Sequence, residues 1–320
     1  MTKLRAWRIV KGLYSWLATT PTCEAQTPRL RYDNPQGPRL TSGYHGLGTG
    51  RLLVLSLNFI TPAWRQRHLL WGLVRRDIAG RYRGSAAGLL WSLLTPMLLL
   101  GIYTFVFSVV FRARWGNAEG DKVAFAVNLF AGMIVHSFVA ECISRAPLLI
   151  LQNANYVKRV IFPLELLPWM LLGSALFHAT LSLSVLFGAL LLAQGHLPPT
   201  VVLLPLIWLP MLLGTLGVTW LLASLGVFLR DINQLTGTMI TILLFLSPIF
   251  YPASTLEQPY RSFLYANPLT IVIEQTRQVV IAGQLPSLLP LAVTYLAGAG
   301  VAALGFAWFQ RSRRAFADVL

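Results

Sequence analysis

The sequence predicts an all-α membrane protein with six transmembrane helices, and three observations support this fold class. First, 55% of the 320 residues are hydrophobic, only 12% are charged, and the mean hydropathy is +0.62. Soluble domains carry about 25% charged residues, so this chain has too few to cover a surface in water. Second, several uncharged stretches are long enough to cross a bilayer. Third, 26 Lys and Arg residues outnumber 11 Asp and Glu residues, and membrane proteins place such an excess in cytoplasmic loops.

Six apolar stretches are candidate transmembrane helices. A helix crosses the roughly 30 Å hydrocarbon layer with about 20 apolar residues. Stretches without Asp, Glu, Lys or Arg occupy residues 86–111, 123–140, 166–193, 200–229, 235–252 and 288–309. Because six is an even number, both termini are expected on the same side of the membrane.

The distribution of basic residues predicts which side that is. With both termini inside, the inner segments hold 21 basic residues and the outer segments hold five. Short loops rich in Lys and Arg stay in the cytoplasm, so both termini are predicted to be cytoplasmic. This topology also explains the sequence pI of about 10.6 without a nucleic-acid partner.

The sequence divides into four parts. Residues 1–60 are predicted to be a disordered cytoplasmic tail and residues 61–84 an amphipathic interface helix. The six-span domain follows at 85–310, and a short cytoplasmic tail at 311–320. Pro, Gly and Thr residues interrupt any apolar period in the first part, which favours disorder.

The interface helix is predicted from an apolar face opposite a basic one. Leu70, Trp71, Val74, Ile78 and Tyr82 recur at helical spacing, and arginines at positions 65, 76 and 83 lie opposite. Composition leaves two interpretations open: an anchor on the membrane surface, or a contact for a cytoplasmic partner.

Residues 256–283, between the fifth and sixth spans, are predicted to form a re-entrant helical element at the periplasmic side. Asn267 is placed as an N-cap, with Pro268 at the first helical position. Glu274 and Arg277 can pair three residues apart on the same helix. Such a segment must pack on protein or line a cavity, because lipid cannot satisfy its backbone.

The sequence offers no catalytic residue and no metal site. None of its four lysines lies in a glycine-rich phosphate loop, so the chain is not expected to hydrolyse ATP or to bind a cofactor of its own. The motifs of zinc proteases and serine hydrolases are missing. Cys23 and Cys142 have no CxxC spacing, which excludes a cysteine zinc site of the usual kind.

Four ionisable residues fall within or beside the spans, namely His136, Glu141, Glu165 and His178. The histidines are expected to form hydrogen bonds between helices rather than a proton relay, because no acid is spaced beside them. The glutamates lie near span ends and are expected to pair with Arg145, Lys158 or Arg159.

Aromatic residues concentrate in the first span and at the end of the fifth. The candidates for a substrate path are Trp91, Tyr103, Phe107, Phe245, Phe250 and Tyr251. Tyr103 and Phe107 fall on one face of the first span, together with Ser92 and Pro96. Aromatic faces could let a sugar chain slide along a path, but by residue type alone an interface belt and ordinary core are favoured.

Five segments resemble the permeases of polysaccharide and polyol-phosphate ABC exporters, a family with the type-2 ABC exporter fold. They are RRDIAGRYRGSAAGLLWSLLTP, NANYVKRVIFPLELLP, LRDI, SPIFYP and NPLT, which begin at residues 75, 153, 229, 247 and 267. The resemblance covers about residues 65–315 and keeps the order of the motifs.

The resemblance implies a homodimer in the bacterial inner membrane that carries two separate ATPase subunits, which bind ATP and Mg²⁺. Its cargo would be a polyprenyl-pyrophosphate-linked glycan of the O-antigen, capsule or teichoic acid type, exported to the periplasm through a membrane of lipids. The ATPase-coupling residues implied are Asn155, Tyr156, Val157, Lys158, Arg159, Arg230 and Asp231. The aromatic residues above would line the substrate path, and Arg76, Arg81 and Arg83 would guide the phosphates.

Three other functions stay open at this point. A related permease could export a drug or a small lipid. An integral-membrane glycosyl or acyl transferase is disfavoured because the sequence lacks a suitable acidic pair. A simple membrane anchor would leave the re-entrant element and the coupling-like loops unexplained.

Overall fold

The computed structural model describes residues 59–83, 90–110, 122–157, 162–229 and 231–319, which are largely helical and contain no strand. The helices, in chain order, are α1 (Thr61–Arg65), α2 (Arg67–Tyr82), α3 (Trp91–Tyr103), α4 (Lys122–Arg145), α5 (Leu149–Gln152), α6 (Ala154–Val157), α7 (Leu166–Gln194), α8 (Leu204–Phe228), α9 (Ile232–Phe245), α10 (Tyr260–Tyr265), α11 (Pro268–Val280), α12 (Leu288–Ser312) and α13 (Phe316–Val319).

Four of the six predicted spans are helices long and apolar enough to cross a membrane. They are α4, α7, α8 with its preceding 3₁₀ turn, and α12 with its following 3₁₀ turn. The first predicted span corresponds to a shorter apolar helix at Trp91–Phe107, which consists of α3 and the start of a π-helix at Thr104–Val110. The fifth corresponds to α9 at Ile232–Phe245. A six-span topology therefore stays a prediction.

The fifth predicted span is shorter than expected because its helix stops early. The sequence predicts residues 235–252, but α9 ends at Phe245. Pro248 follows three residues later and has no N–H to donate to a helical carbonyl. The 14 residues of α9 rise about 21 Å, which is less than the hydrocarbon thickness.

Helix α4 lies at the centre of the described part of the chain. It contacts α3, α7, α8, α9 and α11. Other parts of the protein bury 78% of its most apolar 18-residue stretch. A helix that is apolar on every side suits this position, because protein rather than lipid surrounds it.

Helices α8 and α12 pack through glycine with their backbones in direct contact. A Cβ atom built on Gly305 would lie 2.1 Å from the carbonyl oxygen of Gly217, and one on Gly217 would lie 2.3 Å from that of Val301. Gly298 meets the Pro210 carbonyl oxygen at 2.3 Å in the same way. Small residues allow this approach in membrane helices, where dispersion contacts drive association.

The segment between the fifth and sixth predicted spans is fastened by Asn267 and Arg277. As predicted, the Asn267 side chain caps α11 by accepting from the Leu269 N–H at 3.0 Å, and Pro268 begins the helix. The Asn267 amide also donates to the Ser247 hydroxyl at 3.0 Å. It thereby joins the start of α11 to the chain that follows α9.

Arg277 is buried and connects three parts of the chain. Its guanidinium donates to the backbone carbonyls of Asn128, Pro248 and Ile249 at 3.0, 2.6 and 3.0 Å. The predicted pair with Glu274 is confirmed at 3.1 Å. Helix α11 is thus tied to α4 and to the turn after α9 by one side chain.

Helix α2 lies within the predicted interface segment, and its buried face agrees with the predicted apolar face except at Trp71. Leu73 and Val74 are buried, whereas Trp71, which was placed on the apolar face, is 69% exposed. Val74 packs against Gly173 of α7, where a Cβ atom would meet a Val74 methyl at 2.8 Å. A protein contact rather than the membrane surface therefore sets this part of the face.

Gly305→Ala should destabilise the protein, because the added methyl group would clash with the Gly217 carbonyl oxygen and force α8 away from α12. Gly300→Ala on the same helix is the matched control, since nothing lies within 4 Å of its added Cβ. Overpacking costs typically about 1–3 kcal/mol, whereas the control gains helix propensity. Thermal unfolding in detergent measures the difference, and equal melting temperatures for the two variants would contradict the close contact.

Arg277→Met should lower stability strongly, because three buried carbonyls lose a charged donor, at a cost of roughly 3 kcal/mol or more. Glu274→Gln should cost far less, since its side chain is 25% exposed and can still accept a hydrogen bond. Limited proteolysis of the segment between α9 and α12, together with thermal unfolding, tests the pair of variants. A proteolysis rate that the Arg277→Met substitution leaves unchanged would show that the three contacts do not fasten this segment.

Candidate functional site

A cluster of charged side chains joins helix α2 to α4 and α7. The Arg81 guanidinium lies 2.9 Å from a Glu141 carboxylate oxygen and 2.8 Å from Nδ1 of His178. His178 Nδ1 is itself 3.2 Å from the Glu141 carboxylate. These three side chains come from three helices and meet at one point. Together with a neighbouring ion pair, Asp77–Arg145, they form what we call the ionic cluster.

The Asp77–Arg145 pair makes a second contact between α2 and α4. One terminal nitrogen of Arg145 donates to both Asp77 carboxylate oxygens, at 2.7 and 2.9 Å. The other terminal nitrogen reaches Glu141 and the Ser174 hydroxyl, each at 3.4 Å. Arg145 therefore bridges the two acids.

The acids of the ionic cluster are largely removed from solvent, since the side chains of Glu141 and Asp77 are 16% and 18% exposed. A buried carboxylate is costly unless a cation and hydrogen bonds compensate it. Arg81 and Arg145 supply that compensation, so separating α2 from α4 would leave both acids with fewer cations beside them.

His178 has an acidic neighbour, contrary to the sequence-based expectation. Glu141 lies 37 residues away in the chain but on the adjacent helix. His136 instead meets the backbone carbonyl of Ile240 at 3.2 Å, which is the expected kind of contact between helices.

The two glutamates have different partners. Glu141 pairs with Arg145, which is one of the three partners that the sequence predicted for the glutamates. Glu165 pairs with Arg313 at 3.1 Å, a residue that the expectation did not include. Lys158 and Arg159, the other candidates, lie outside the described residues.

A cavity of about 310 Å³ opens beside the ionic cluster. Arg81, Glu141 and His178 form its polar side, and Tyr82, Trp91 and Tyr103 contribute aromatic rings. Two of the six residues predicted for the aromatic path, Trp91 and Tyr103, are therefore brought together with the ionic cluster.

The other residues of the predicted aromatic path form a separate group. Phe107 lies 6.2 Å from Phe250, and Phe250 lies 6.2 Å from Phe245, measured between ring centroids. Phe125 of α4 stacks on Phe107 at 5.3 Å. Tyr251 is placed beside them by a 3.5 Å hydrogen bond to the Phe245 carbonyl. Tyr103 and Phe107 lie four residues apart, so the two groups follow one another along the first predicted span.

The predicted coupling segment contacts the interface helix through Tyr156. Its hydroxyl accepts a hydrogen bond from Arg76, whose guanidinium carbon lies 5.4 Å from the centre of the Tyr156 ring. The same ring stacks on Phe162 at 4.2 Å. Asn155 is exposed and Val157 is half-buried beside it on α6.

The remaining residues of the predicted coupling set are only partly described. Lys158, Arg159 and Arg230 lie outside the described residues. Asp231 is exposed at the start of α9.

The predicted phosphate-guiding arginines are in different environments. Arg76 contacts Tyr156, and Arg81 belongs to the ionic cluster. Arg83 is exposed at the end of α2. Arg76 and Arg81 nevertheless line the same polar cavity of about 470 Å³, together with Asp77 and Arg145.

Sequence reasoning missed Asp77 and the joint role of Glu141, Arg145 and His178. One signal was available for Asp77, because it is the sole acid in the basic stretch from residue 64 to 83. A single acid among so many cations is more readily explained by a specific partner than by surface charge.

Comparisons with known proteins place the chain in a family. Residues 68–281, from α2 to the end of α11, match the family model described as ABC-2 type transporter. The O-antigen export system permease protein RfbA of Myxococcus xanthus is 30% identical over 267 residues, which cover 82% of this chain and 99% of that protein.

Two further relatives are more distant. A Klebsiella pneumoniae protein, also named O-antigen export system permease protein RfbA, is 25% identical and covers 79% of this chain and 95% of its own length. The polysialic acid transport protein KpsM of Escherichia coli is 22% identical, with 68% and 83% covered. On the match over residues 68–281 and the near-complete alignment with the Myxococcus protein, the chain belongs to the ABC-2 type transporter family.

Proposed function

We propose that this chain is the permease subunit of an ATP-driven exporter, which moves a lipid-linked polysaccharide from the cytoplasm to the periplasm. The relatives named above are O-antigen export permeases and a polysialic acid transport protein, and the alignment with them covers most of this chain. The cargo would be a glycan of the O-antigen kind carried on polyprenyl pyrophosphate.

The proposed topology has six spans in the bacterial inner membrane, with both termini in the cytoplasm. The excess of basic residues in the inner segments supports this orientation. Helices α1 and α2 would lie at the cytoplasmic surface. Helices α10 and α11 would form the re-entrant periplasmic element, in keeping with the buried polar contacts of Arg277.

The proposed energy source is a separate ATPase. Two ATPase subunits would bind ATP and Mg²⁺ and would dock on a homodimer of the permease. The sequence has no phosphate-binding loop of its own, and the family to which the chain belongs consists of transporter membrane subunits.

One observation carries the proposal: contacts run without a break from the coupling segment to the aromatic cavity. Tyr156 contacts Arg76 on α2, and one residue further along α2 Asp77 pairs with Arg145. Arg81, one turn later, contacts Glu141 and His178 at the edge of the cavity. A push on Tyr156 would therefore move the C-terminal half of α2, which borders the cavity one turn beyond Arg76.

The proposed cargo path follows the two aromatic groups that begin at Trp91 and Tyr103 and at Phe107 of the first span. Trp91 and Tyr103 border the cavity, and Phe107, Phe245, Phe250 and Tyr251 lie further along. Aromatic faces offer a sugar chain contacts without fixing any one unit. The channel would open between the two permease subunits, and the exposed Arg83, with Arg76 and Arg81, would guide the phosphates.

A related permease that exports a drug or small lipid is the second candidate function. The charged and aromatic lining of the cavity beside Arg81 favours a polar cargo, as does the naming of the relatives. A glycosyl or acyl transferase would instead be active in vesicles without any ATPase.

Tyr156→Ala should reduce glycan export, because α2 loses its contact with the coupling segment. Coupling mutations change free energies by about 0.5–2 kcal/mol, which corresponds to roughly 2- to 30-fold in export. Tyr156→Phe should be milder, since it keeps the ring that stacks on Phe162 and faces Arg76. The exposed Tyr260 gives the control variant Tyr260→Ala.

The measurement combines co-purification with transport. The tagged permease should retain an ATPase subunit, whose ATP hydrolysis should depend on the permease. Surface glycan is then quantified for each Tyr156 variant at equal permease abundance. A permease that retains no ATPase, and stimulates none when a candidate is added, would refute the exporter.

Replacing both Tyr103 and Phe107 by Ala should reduce surface glycan severalfold without lowering permease abundance, because both aromatic groups on the proposed path lose a ring. Phe105→Ala is the control, since Phe105 is on the same segment but is 60% exposed and is not among the residues predicted for the aromatic path. Immunoblotting of glycan and permease measures both quantities. Full export by the double variant would exclude the aromatic path.

A further inference from the structure

An apolar groove of about 360 Å³ separates the N-terminal half of α2 from α7 and α8. Helix α2 lines it with Arg67, Leu70, Trp71 and Val74, and six leucines of α7 and α8 form much of the remaining wall. Helix interfaces inside proteins are normally packed without voids of this size. A leucine-lined cavity of about 150 Å³ already holds a benzene molecule, so this groove can hold a longer hydrocarbon segment.

The contacts of α2 are uneven along its length. Among the described residues, the ion pairs that fasten α2 to its neighbours, Asp77–Arg145 and Arg81–Glu141, lie in its C-terminal half. The N-terminal half touches α7 closely at Val74 and Gly173, and beyond that contact the groove opens. Something that fills the groove would therefore fasten the end of α2 that the ionic cluster does not reach.

Among the described residues that line the groove, Arg67 is the one that carries a charge. Its guanidinium carbon lies 5.8 Å from the ring centre of Trp64, which holds the charge beside the groove. Trp64 and Trp71 are each 69% exposed. Tryptophans in this setting are typical of the boundary between lipid headgroups and hydrocarbon.

We infer that the groove binds one anionic phospholipid of the cytoplasmic leaflet, with its phosphate at Arg67 and an acyl chain along the leucines. Along α8 the lining runs from Leu216 to Leu209, which leads away from the proposed cytoplasmic end of that helix. Anionic lipids are concentrated in this leaflet and attract basic groups at its surface. The inference rests on the proposed orientation and not on the identity of the cargo.

A phospholipid fits better than the lipid carrier of the cargo. The carrier must leave the permease in every transport cycle, whereas the groove is bounded on three sides by helices of one subunit. A resident lipid would instead act as a packing element between α2 and the two spans.

Native mass spectrometry of the full-length permease tests the inference, with phosphatidylglycerol and phosphatidylcholine as the two probes. We expect one saturable phosphatidylglycerol per chain that phosphatidylcholine does not replace. Arg67→Gln should weaken this binding about tenfold, since a charge-assisted contact to phosphate is lost. Arg65→Gln, on the neighbouring helix α1 and outside the groove, should leave it unchanged.

A second variant fills the groove. Leu209→Trp, at a position that is 44% exposed, should abolish lipid binding while the melting temperature stays close to that of the unmodified chain. Leu289→Trp, at an exposed position on α12, is its control. Equal binding of both probes, binding that survives both groove variants, or preferential binding of a polyprenyl phosphate would each overturn the inference. Export that continues in a permease without this lipid would leave the proposed function intact.

Discussion

Charges that leave water must be paired, and this requirement fixes the position of helix α2 against α4 and α7. Glu141 and Asp77 are both largely buried, and each has a cation on the other helix: Arg81 of α2 faces Glu141 of α4, and Arg145 of α4 faces Asp77 of α2. Helix α2 must stay against α4 and α7 to keep both acids compensated. The cavity with its aromatic rings, and the position of Tyr156 beside Arg76, depend on where α2 is held.

The opposite end of the bundle is fastened by different chemistry. Arg277 uses its guanidinium mainly on backbone carbonyls, and Asn267 joins a helix cap to Ser247. Backbone carbonyls cannot swing away as side chains can, so these contacts hold the segment in one arrangement. The ionic cluster, by contrast, contains two arginines and a histidine that share one glutamate. Glu141 can therefore lose one of these partners and still face a cation, whereas Asp77 depends on Arg145.

Local patterns in the sequence were enough to predict some of these contacts. The Asn267 cap and the Glu274–Arg277 pair involve residues at most three positions apart, and the structure has both. The uncharged stretches likewise located the apolar helices. The pairing of Glu165 with Arg313 spans 148 residues, and that of Arg81 with His178 spans 97. Contacts of this kind depend on which helices become neighbours, and neither periodicity nor charge counting contains that information. The early end of α9 required weighing Pro248 against hydropathy.

The contact between α8 and α12 has a mechanical consequence. At Gly217 and Gly305 no side chain stands between the two backbones, so there are no rotamers that could rearrange to let one helix slide along the other. The two helices should therefore move as one rigid unit. Sliding between helices should occur where long side chains separate their backbones. The surfaces of α2 and α3 meet that condition. Any large movement within this chain should therefore occur at the contacts of α2 and α3, while α8 and α12 keep their relative position.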